Sequence, residues 1–141
     1  LSYFLMNDKC AAGTGIFLEV MINILDTEIN FIDLLTEGVN PYPISSMCTV
    51  FAESEIISLI AKEVPVEEIL SGVLSSIARR TANFASRLVI EEEVFFTGGL
   101  SKSLEFKKRL EKFLGVSIKT SNLSQYAGAI GAAVIGLNKI K

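Results

Sequence analysis

Apolar side chains recur every three to four residues over much of this chain, which is the spacing of amphipathic helices. The pattern predicts helices that begin near Thr14, at Asn30, after Cys48 and at Pro65, because threonine and asparagine cap helices and proline suits a first turn. The helix from Pro65 carries two apolar rows in steps of four: Ile69, Val73 and Ile77, and Leu70, Leu74 and Ala78. We therefore expect this helix to be buried along one face.

Shorter apolar runs between these helices predict β-strands. They are Ser2 to Asn7, Val94 to Phe96 and Val116 to Thr120, and the unbroken apolar character of the second is typical of a strand buried on both faces. A helix from Ser103 to Phe113 separates the last two strands. An Ala- and Gly-rich helix from Tyr126 to Leu137 follows, and we expect it to pack closely on a neighbour. This order of elements predicts an α/β fold.

Composition excludes several classes of function. The chain has 141 residues, of which 50% are hydrophobic, and this is enough for one folded domain over residues 1–141. Thirteen lysines and arginines against sixteen acidic residues give a net charge of −3, so no nucleic-acid partner is expected. The sequence contains no histidine, which excludes within this chain a catalytic triad, a zinc site or a general base built on that residue.

The sequence gives no sign of a membrane protein. The uncharged stretch Thr120 to Asn138 approaches the length of a membrane span, but glycines and polar residues interrupt it. No signal-peptide pattern follows Leu1. We expect no membrane association and a cytoplasmic location. Because the chain opens inside a predicted strand without an initiator Met, we also expect it to be a piece of a longer protein.

Two cysteines, Cys10 and Cys48, each stand just before a predicted helix start. Free N–H groups and the helix dipole favour a thiolate at such positions. Iron–sulfur clusters are typically held by four cysteines, so two copies of this chain would have to supply two thiolates each across a symmetric interface. The alternative is that both cysteines are inert core residues, since free cysteine is among the most buried residue types.

Two glycine-containing loops are candidates for ligand binding. Gly13-Thr14-Gly15 precedes the first helix and could cradle a phosphate, although it lacks the Lys-Ser/Thr ending of a P-loop. The turn Thr97-Gly98-Gly99, followed by Lys102, comes directly after the strand that begins at Val94. In open α/β sheets, ligands bind at the carboxyl ends of strands, where this turn would lie. Its glycines allow a ligand to approach the backbone, and the helix that follows offers N–H donors. The alternative is a tight strand–helix connection without a ligand.

Five strings of sequence together carry a family resemblance. They are MNDKCAAGTG at 6–15, CTVFAESE at 48–55, IARR at 77–80, FTGG at 96–99 and QYAGAIGAA at 125–133. In this order they resemble the ATP-dependent activators of 2-hydroxyacyl-CoA dehydratases and their relatives, the ATPase subunits of benzoyl-CoA reductase. The similarity runs over nearly the whole chain.

The resemblance implies a ribonuclease-H-like half of an actin-like ATPase fold, the type shared by sugar kinases and Hsp70. This chain would be the C-terminal half of an activator, without the N-terminal half and the two phosphate loops, so we expect no ATP hydrolysis by the chain alone. The intact protein would bind ATP or ADP with Mg²⁺. The residues implied in nucleotide binding are Gly13, Thr14, Gly15, Thr97, Gly98, Gly99 and Lys102, with Thr97-Gly98-Gly99 at the adenosine end.

The resemblance also implies a homodimer with one [4Fe-4S] cluster at its interface, held by Cys10 and Cys48 of each subunit. ATP hydrolysis would drive a low-potential electron from ferredoxin or flavodoxin into a 2-hydroxyacyl-CoA dehydratase or a related reductase. Two positions depart from the family pattern: Ile16 stands where many relatives have Arg, and Ser103 where many have Asn. The alternatives are a kinase-like half of the same fold, which has no need of paired cysteines, and a non-catalytic structural domain.

Overall fold

The computed structural model describes residues 4–6, 14–45, 48–90 and 93–140. These residues form six α-helices and one two-stranded sheet. The helices are α1 (Thr14–Ile24), α2 (Ile32–Thr36), α3 (Thr49–Ala61), α4 (Val66–Ala85), α5 (Leu104–Leu114) and α6 (Ala127–Ile140). The strands are β1 (Val94–Phe95) and β2 (Ile118–Lys119), and 3₁₀ turns occur at Ile29–Phe31, Gly99–Lys102 and Ser124–Tyr126.

The predicted helix starts agree with the structure at three of four places. α1 begins at Thr14, α3 follows Cys48 and α4 follows Pro65. The prediction that Asn30 caps the next helix is wrong by one residue, because Ile29–Phe31 form a 3₁₀ turn and Phe31 is the N-cap of α2. Half of the predicted strand from Ser2 to Asn7 lies outside the described residues, and residues 4–6 carry no strand.

Helix α4 lies at the centre of the helical layer, where it contacts α1, α2, α3 and α5. Both of its predicted apolar rows are buried, as the spacing of four requires. The core around it includes Leu18 and Met21 of α1, Ile56 of α3 and Phe106 of α5. On the α1 side, the Arg80 guanidinium stacks over the Phe17 ring at 5.7 Å, which extends this packing to the surface.

The sheet is a β–α–β unit in which α5 connects two parallel strands. Val94 pairs with Ile118 and Phe95 with Lys119. Val94 and Phe96 pack against the core, whereas Phe95 is 57% exposed, so the expectation of a strand buried on both faces is wrong. Successive side chains of a strand point to opposite faces, and in the described residues the core covers the face to which Val94 and Phe96 point.

The last helix does not show the close packing expected from its glycines. A Cβ added at Gly128, Gly131 or Gly136 would meet nothing within 4 Å in the described part of the chain. Its large apolar side chains are exposed: Ile130, Val134, Ile135 and Leu137. Among the helices of residues 4–6, 14–45, 48–90 and 93–140, none is long and apolar enough to cross a membrane.

A largely buried polar network joins α2, α4 and α5 around Arg109. Its guanidinium donates to the Glu105 carboxylate at 2.6 Å, to the Glu105 and Thr36 carbonyls, and to the Ser71 and Ser75 hydroxyls. Glu105 also accepts from Lys108 at 2.7 Å, and this hydrogen bond raises the pKa of the Lys108 ammonium. The network anchors the C-terminal end of α2 to α5 through the Thr36 carbonyl.

Candidate functional site

A cavity of about 660 Å³ opens where the N-terminus of α1, the carboxyl end of β1 and the start of α5 meet. Its lining comes from segments that are far apart in the sequence but adjacent in the fold. The described residues that line it are Thr14, Gly15, Leu18, Glu19, Ile29, Asn30, Ile32, Asp33, Thr81, Phe96, Thr97, Gly99, Leu100, Lys102, Ser103, Phe106 and Gln125. Such a concave site with an apolar floor and a few polar groups is the usual form of a small-molecule site.

The cavity brings together residues from both predicted ligand-binding loops. Thr14 and Gly15 lie on one side, and Thr97, Gly99 and Lys102 lie on another. Gly98 is part of the same turn but is not in the lining, and Gly13 lies outside the described residues. The juxtaposition arises because the N-terminus of α1 and the carboxyl end of β1 face the same edge of the fold.

The turn after β1 depends on Gly98. This residue has a backbone φ of +102°, a conformation that residues other than glycine rarely adopt. Its N–H donates to the Ser124 carbonyl at 3.0 Å, and its own carbonyl accepts from the N–H and hydroxyl of Ser101. The turn is thereby tied to the loop that precedes α6.

The expectation that the helix start after this turn offers free N–H donors is wrong. A 3₁₀ turn, Gly99–Lys102, comes first, and the first amides of α5 are already used. Leu104 N and Glu105 N donate to the Asp33 carboxylate at 2.8 and 3.3 Å, and Phe106 N donates to the Ser103 hydroxyl at 3.0 Å. A ligand in the cavity must therefore find its donors elsewhere.

The walls of the cavity suit a molecule with a flat apolar part and a charged part. The half-buried ring of Phe96 forms an apolar part of the wall and lies 5.7 Å from the ring of Phe106, which is buried in the core with Leu18 and Ile32. The rim carries the exposed side chains of Lys102 and Glu19. Two further polar residues of the lining, Asp33 and Thr81, belong to no motif in the sequence, and the fold alone assigns them to the site, whereas Gln125 begins the string QYAGAIGAA.

Cys48 occupies the N-cap position of α3, as the sequence predicts. Its carbonyl accepts the first helical hydrogen bond, from Ala52 N at 2.9 Å, and its thiol is free and half-buried. Two side chains in the first turn of α3, Val50 and Phe51, are 67% and 69% exposed and present apolar surface near this end of the helix. Cys10 lies outside the described residues.

The position of Cys48 fits a ligand of an anionic metal centre. A thiolate is the usual iron ligand in iron–sulfur clusters, and the helix N-terminus favours negative charge beside it. In the ranges that the structure describes, no three or more Cys, Asp or Glu side chains converge in a way that could hold a metal ion. A cluster at Cys48 would therefore need ligands from outside these residues.

Glu55 holds the chain segment that leads to Cys48. Its carboxylate accepts from both the N–H and the hydroxyl of Ser45, at 3.0 and 2.9 Å. Because Glu55 lies on α3 itself, these bonds tie the incoming loop to the same helix that Cys48 caps. Glu55 ends the string CTVFAESE, but no local pattern pairs it with Ser45.

The layout of helices, β–α–β unit and cavity is that of one half of an actin-like ATPase. The activator of the 2-hydroxyisocaproyl-CoA dehydratase from Clostridium difficile with bound ADPNP superposes with a TM-score of 0.91 at 35% identity, covering 99% of this chain and 52% of that one. Component A of the (R)-2-hydroxyglutaryl-CoA dehydratase of Acidaminococcus fermentans gives 0.88 at 46% identity, covering 96% and 52%. The predicted fold class is confirmed.

The model of the BadF/BadG/BcrA/BcrD ATPase family matches residues 2–136, and the chain belongs to this family. The uncharacterized protein YjiL of Escherichia coli (strain K12) is 55% identical over 133 residues, which are 94% of this chain and 52% of that protein. The family resemblance carried by the five strings of sequence is confirmed. The chain spans about half the length of the relatives it matches.

Proposed function

We propose that this chain is the C-terminal half of an ATP-dependent activator that delivers a low-potential electron to a 2-hydroxyacyl-CoA dehydratase or a related reductase. The observation that carries the proposal is the cavity that joins Thr14 and Gly15 to Thr97, Gly99 and Lys102 in a member of this ATPase family. Relatives named as activators of such dehydratases, and one solved with ADPNP, support it.

In this proposal the cavity holds the adenosine end of a nucleotide. The adenine ring would pack on the half-buried ring of Phe96, and the Thr97-Gly98-Gly99 turn would approach the base or ribose. Lys102, on the rim, would face the phosphates. Gly13-Thr14-Gly15 at the N-terminus of α1 would add backbone donors. The groups that hold Mg²⁺ and the terminal phosphates would come from the rest of the intact protein.

Replacing Lys102 with Met is expected to weaken ADP binding by the intact protein roughly fivefold to tenfold, because a charge-assisted contact contributes about 1–1.5 kcal/mol at a partly exposed site. Isothermal titration calorimetry measures the change. Lys112→Met is the matched control, since Lys112 is exposed on α5 but does not line the cavity. Equal ADP affinities of wild type and Lys102→Met would show that Lys102 does not contribute to nucleotide binding.

The second part of the proposal assigns Cys48 and Cys10 of two copies to one [4Fe-4S] cluster. The half-buried thiol of Cys48 at a helix start fits this donor set. When bound, such a cluster supplies one-electron transfer. The chain would contribute two thiolates, the positive end of the α3 dipole and an apolar surface at Val50 and Phe51 that a second copy can cover. Ferredoxin or flavodoxin would supply the electron.

The test is iron and acid-labile sulfide per chain after anaerobic reconstitution of the intact protein. We expect about two irons per chain, which is one four-iron cluster for two subunits. Cys48→Ser and Cys10→Ser are each expected to abolish iron binding and to leave ADP binding intact. Ser54→Ala, an exposed position on the same helix, is the matched control. A wild-type protein that binds no iron, or a Cys48→Ser variant that binds as much iron as wild type, would contradict the cluster assignment.

A further inference from the structure

The Asp33 carboxylate lines the cavity, but its hydrogen bonds go to the protein. Asp33, in the first turn of α2, binds the N-terminus of α5. Its Oδ2 accepts from Leu104 N at 2.8 Å, and its Oδ1 accepts from the Ser103 hydroxyl at 2.5 Å and from Glu105 N at 3.3 Å. Both carboxylate oxygens are therefore engaged by the protein.

We infer that Asp33 is a positioning residue of the nucleotide cavity: it fixes the start of α5 and thereby the Gly99–Lys102 turn that lines the site. The inference rests on the proposed function, because it concerns the same cavity. A carboxylate at a helix N-terminus is favoured both by the dipole and by the amides it satisfies. Here the carboxylate comes from another helix, so the cap also ties two elements together.

Ser103 transmits this attachment to the turn. It ends the Gly99–Lys102 turn, its N–H donates to the Leu100 carbonyl at 3.1 Å, and its hydroxyl also accepts from Phe106 N. The other end of the turn is held by the Gly98–Ser124 hydrogen bond. With both ends fixed, the backbone at Gly99 and the stem of Lys102 are held in place before a ligand arrives. This reduces the loss of conformational entropy on binding.

Helix α2 is bonded to α5 at both of its ends. Asp33 contacts the N-terminus of α5, and the Thr36 carbonyl accepts from Arg109 further along α5 at 3.1 Å. Loss of the Asp33 contact alone leaves the second attachment in place. The expected result is a folded protein in which the start of α5 and its turn can shift, rather than a general loss of structure.

The experiment compares the ADP affinity of the intact protein in wild type, Asp33→Asn, Ser103→Ala and the double variant. Asn keeps the shape of Asp33 but presents an amide NH₂ where a helix amide also donates. We expect roughly tenfold weaker binding for Asp33→Asn, because a hydrogen bond to a charged group is worth about 1.5 kcal/mol. The double variant should lose less than the sum of the two single losses, because both residues fix the same start of α5.

Two further variants separate positioning from other roles. Ser103→Asn, whose side chain can also cap a helix and donate to Asp33, should retain most of the affinity. Glu37→Gln, an exposed carboxylate next to α2 that does not line the cavity, should bind ADP as wild type does. In the ATPase reaction, Asp33→Asn should raise KM more than it lowers kcat.

Three outcomes would overturn the inference. Asp33→Asn with lowered Tm but unchanged ADP affinity would make the contact purely stabilising. Losses that add fully in the double variant would show that Asp33 and Ser103 do not act on the same helix start. A wild type that binds no ADP would instead remove the proposed function, and with it the basis of this inference.

Discussion

Replacing Arg109 with Met is expected to lower the free energy of unfolding by about 3–5 kcal/mol, the usual cost of removing one partner from a buried ion pair. The Arg109 side chain is 12% exposed and makes five hydrogen bonds to α2, α4 and α5. The Glu105 carboxylate, 9% exposed, would keep only its contact with Lys108. Urea denaturation of the purified intact protein measures the change.

Lys108→Met is the matched control for this prediction. Lys108 also binds Glu105 and lies next to Arg109 on α5, but its side chain is 60% exposed. We expect only a small fraction of the Arg109 effect, because exposed ion pairs are screened by water. Arg109→Lys should fall between the two, since lysine keeps the charge but cannot reach several acceptors in one plane. Equal losses for Lys108→Met and Arg109→Met would show that burial of the network does not matter.

Replacing Gly72 with Ala is expected to cost about 1–3 kcal/mol of stability, the range found for overpacked interiors. A Cβ at this position in α4 would stand 2.0 Å from the Tyr42 carbonyl oxygen and 3.0 Å from Ile44 Cγ1. The loop around Tyr42 cannot simply turn a side chain away, because the contact is with backbone. It is also fixed to α4 by the hydrogen bond from Tyr42 N to the Glu68 carbonyl.

Thermal and urea unfolding of Gly72→Ala in the intact protein check this prediction. Gly136→Ala is the control, because a Cβ added there meets no described residue within 4 Å, and it should be neutral or slightly stabilising. In an Ile44→Ala background, Gly72→Ala should still cost most of what it costs in wild type, because the shorter of the two contacts is with the carbonyl oxygen. If Gly72→Ala cost nothing in that background, the steric conflict would lie with the Ile44 side chain instead.

Local pattern predicted the helices well, because their signals are local. The steps of four along α4 became its buried face, and the residues that cap or open helices, Thr14 and Pro65, stand at the start of α1 and α4. The same logic failed at Phe95, since an apolar run does not say which face of a strand its neighbours cover. It also failed at α6, because small residues predict close packing but do not identify the element against which the helix packs.

The candidate site was predictable only in part. Thr97-Gly98-Gly99 and Gly13-Thr14-Gly15 stood out as loops, and the Cys10 and Cys48 strings carried the family resemblance. The binding roles of all these residues stay predictions. Asp33 could not be found in this way. It contacts residues seventy positions further along the chain, and no local spacing records such a contact.

The sequence by itself determined the helical faces, the α/β class and the family, because periodicity, capping residues and long motif strings depend on neighbours along the chain. The tertiary structure decided which loops share a cavity, which amides of α5 are already bonded and which carboxylate bonds them. These features arise from contacts between distant segments. Packing of α2 and α5 against α4 brings those segments together, and that packing is a property of the folded chain as a whole.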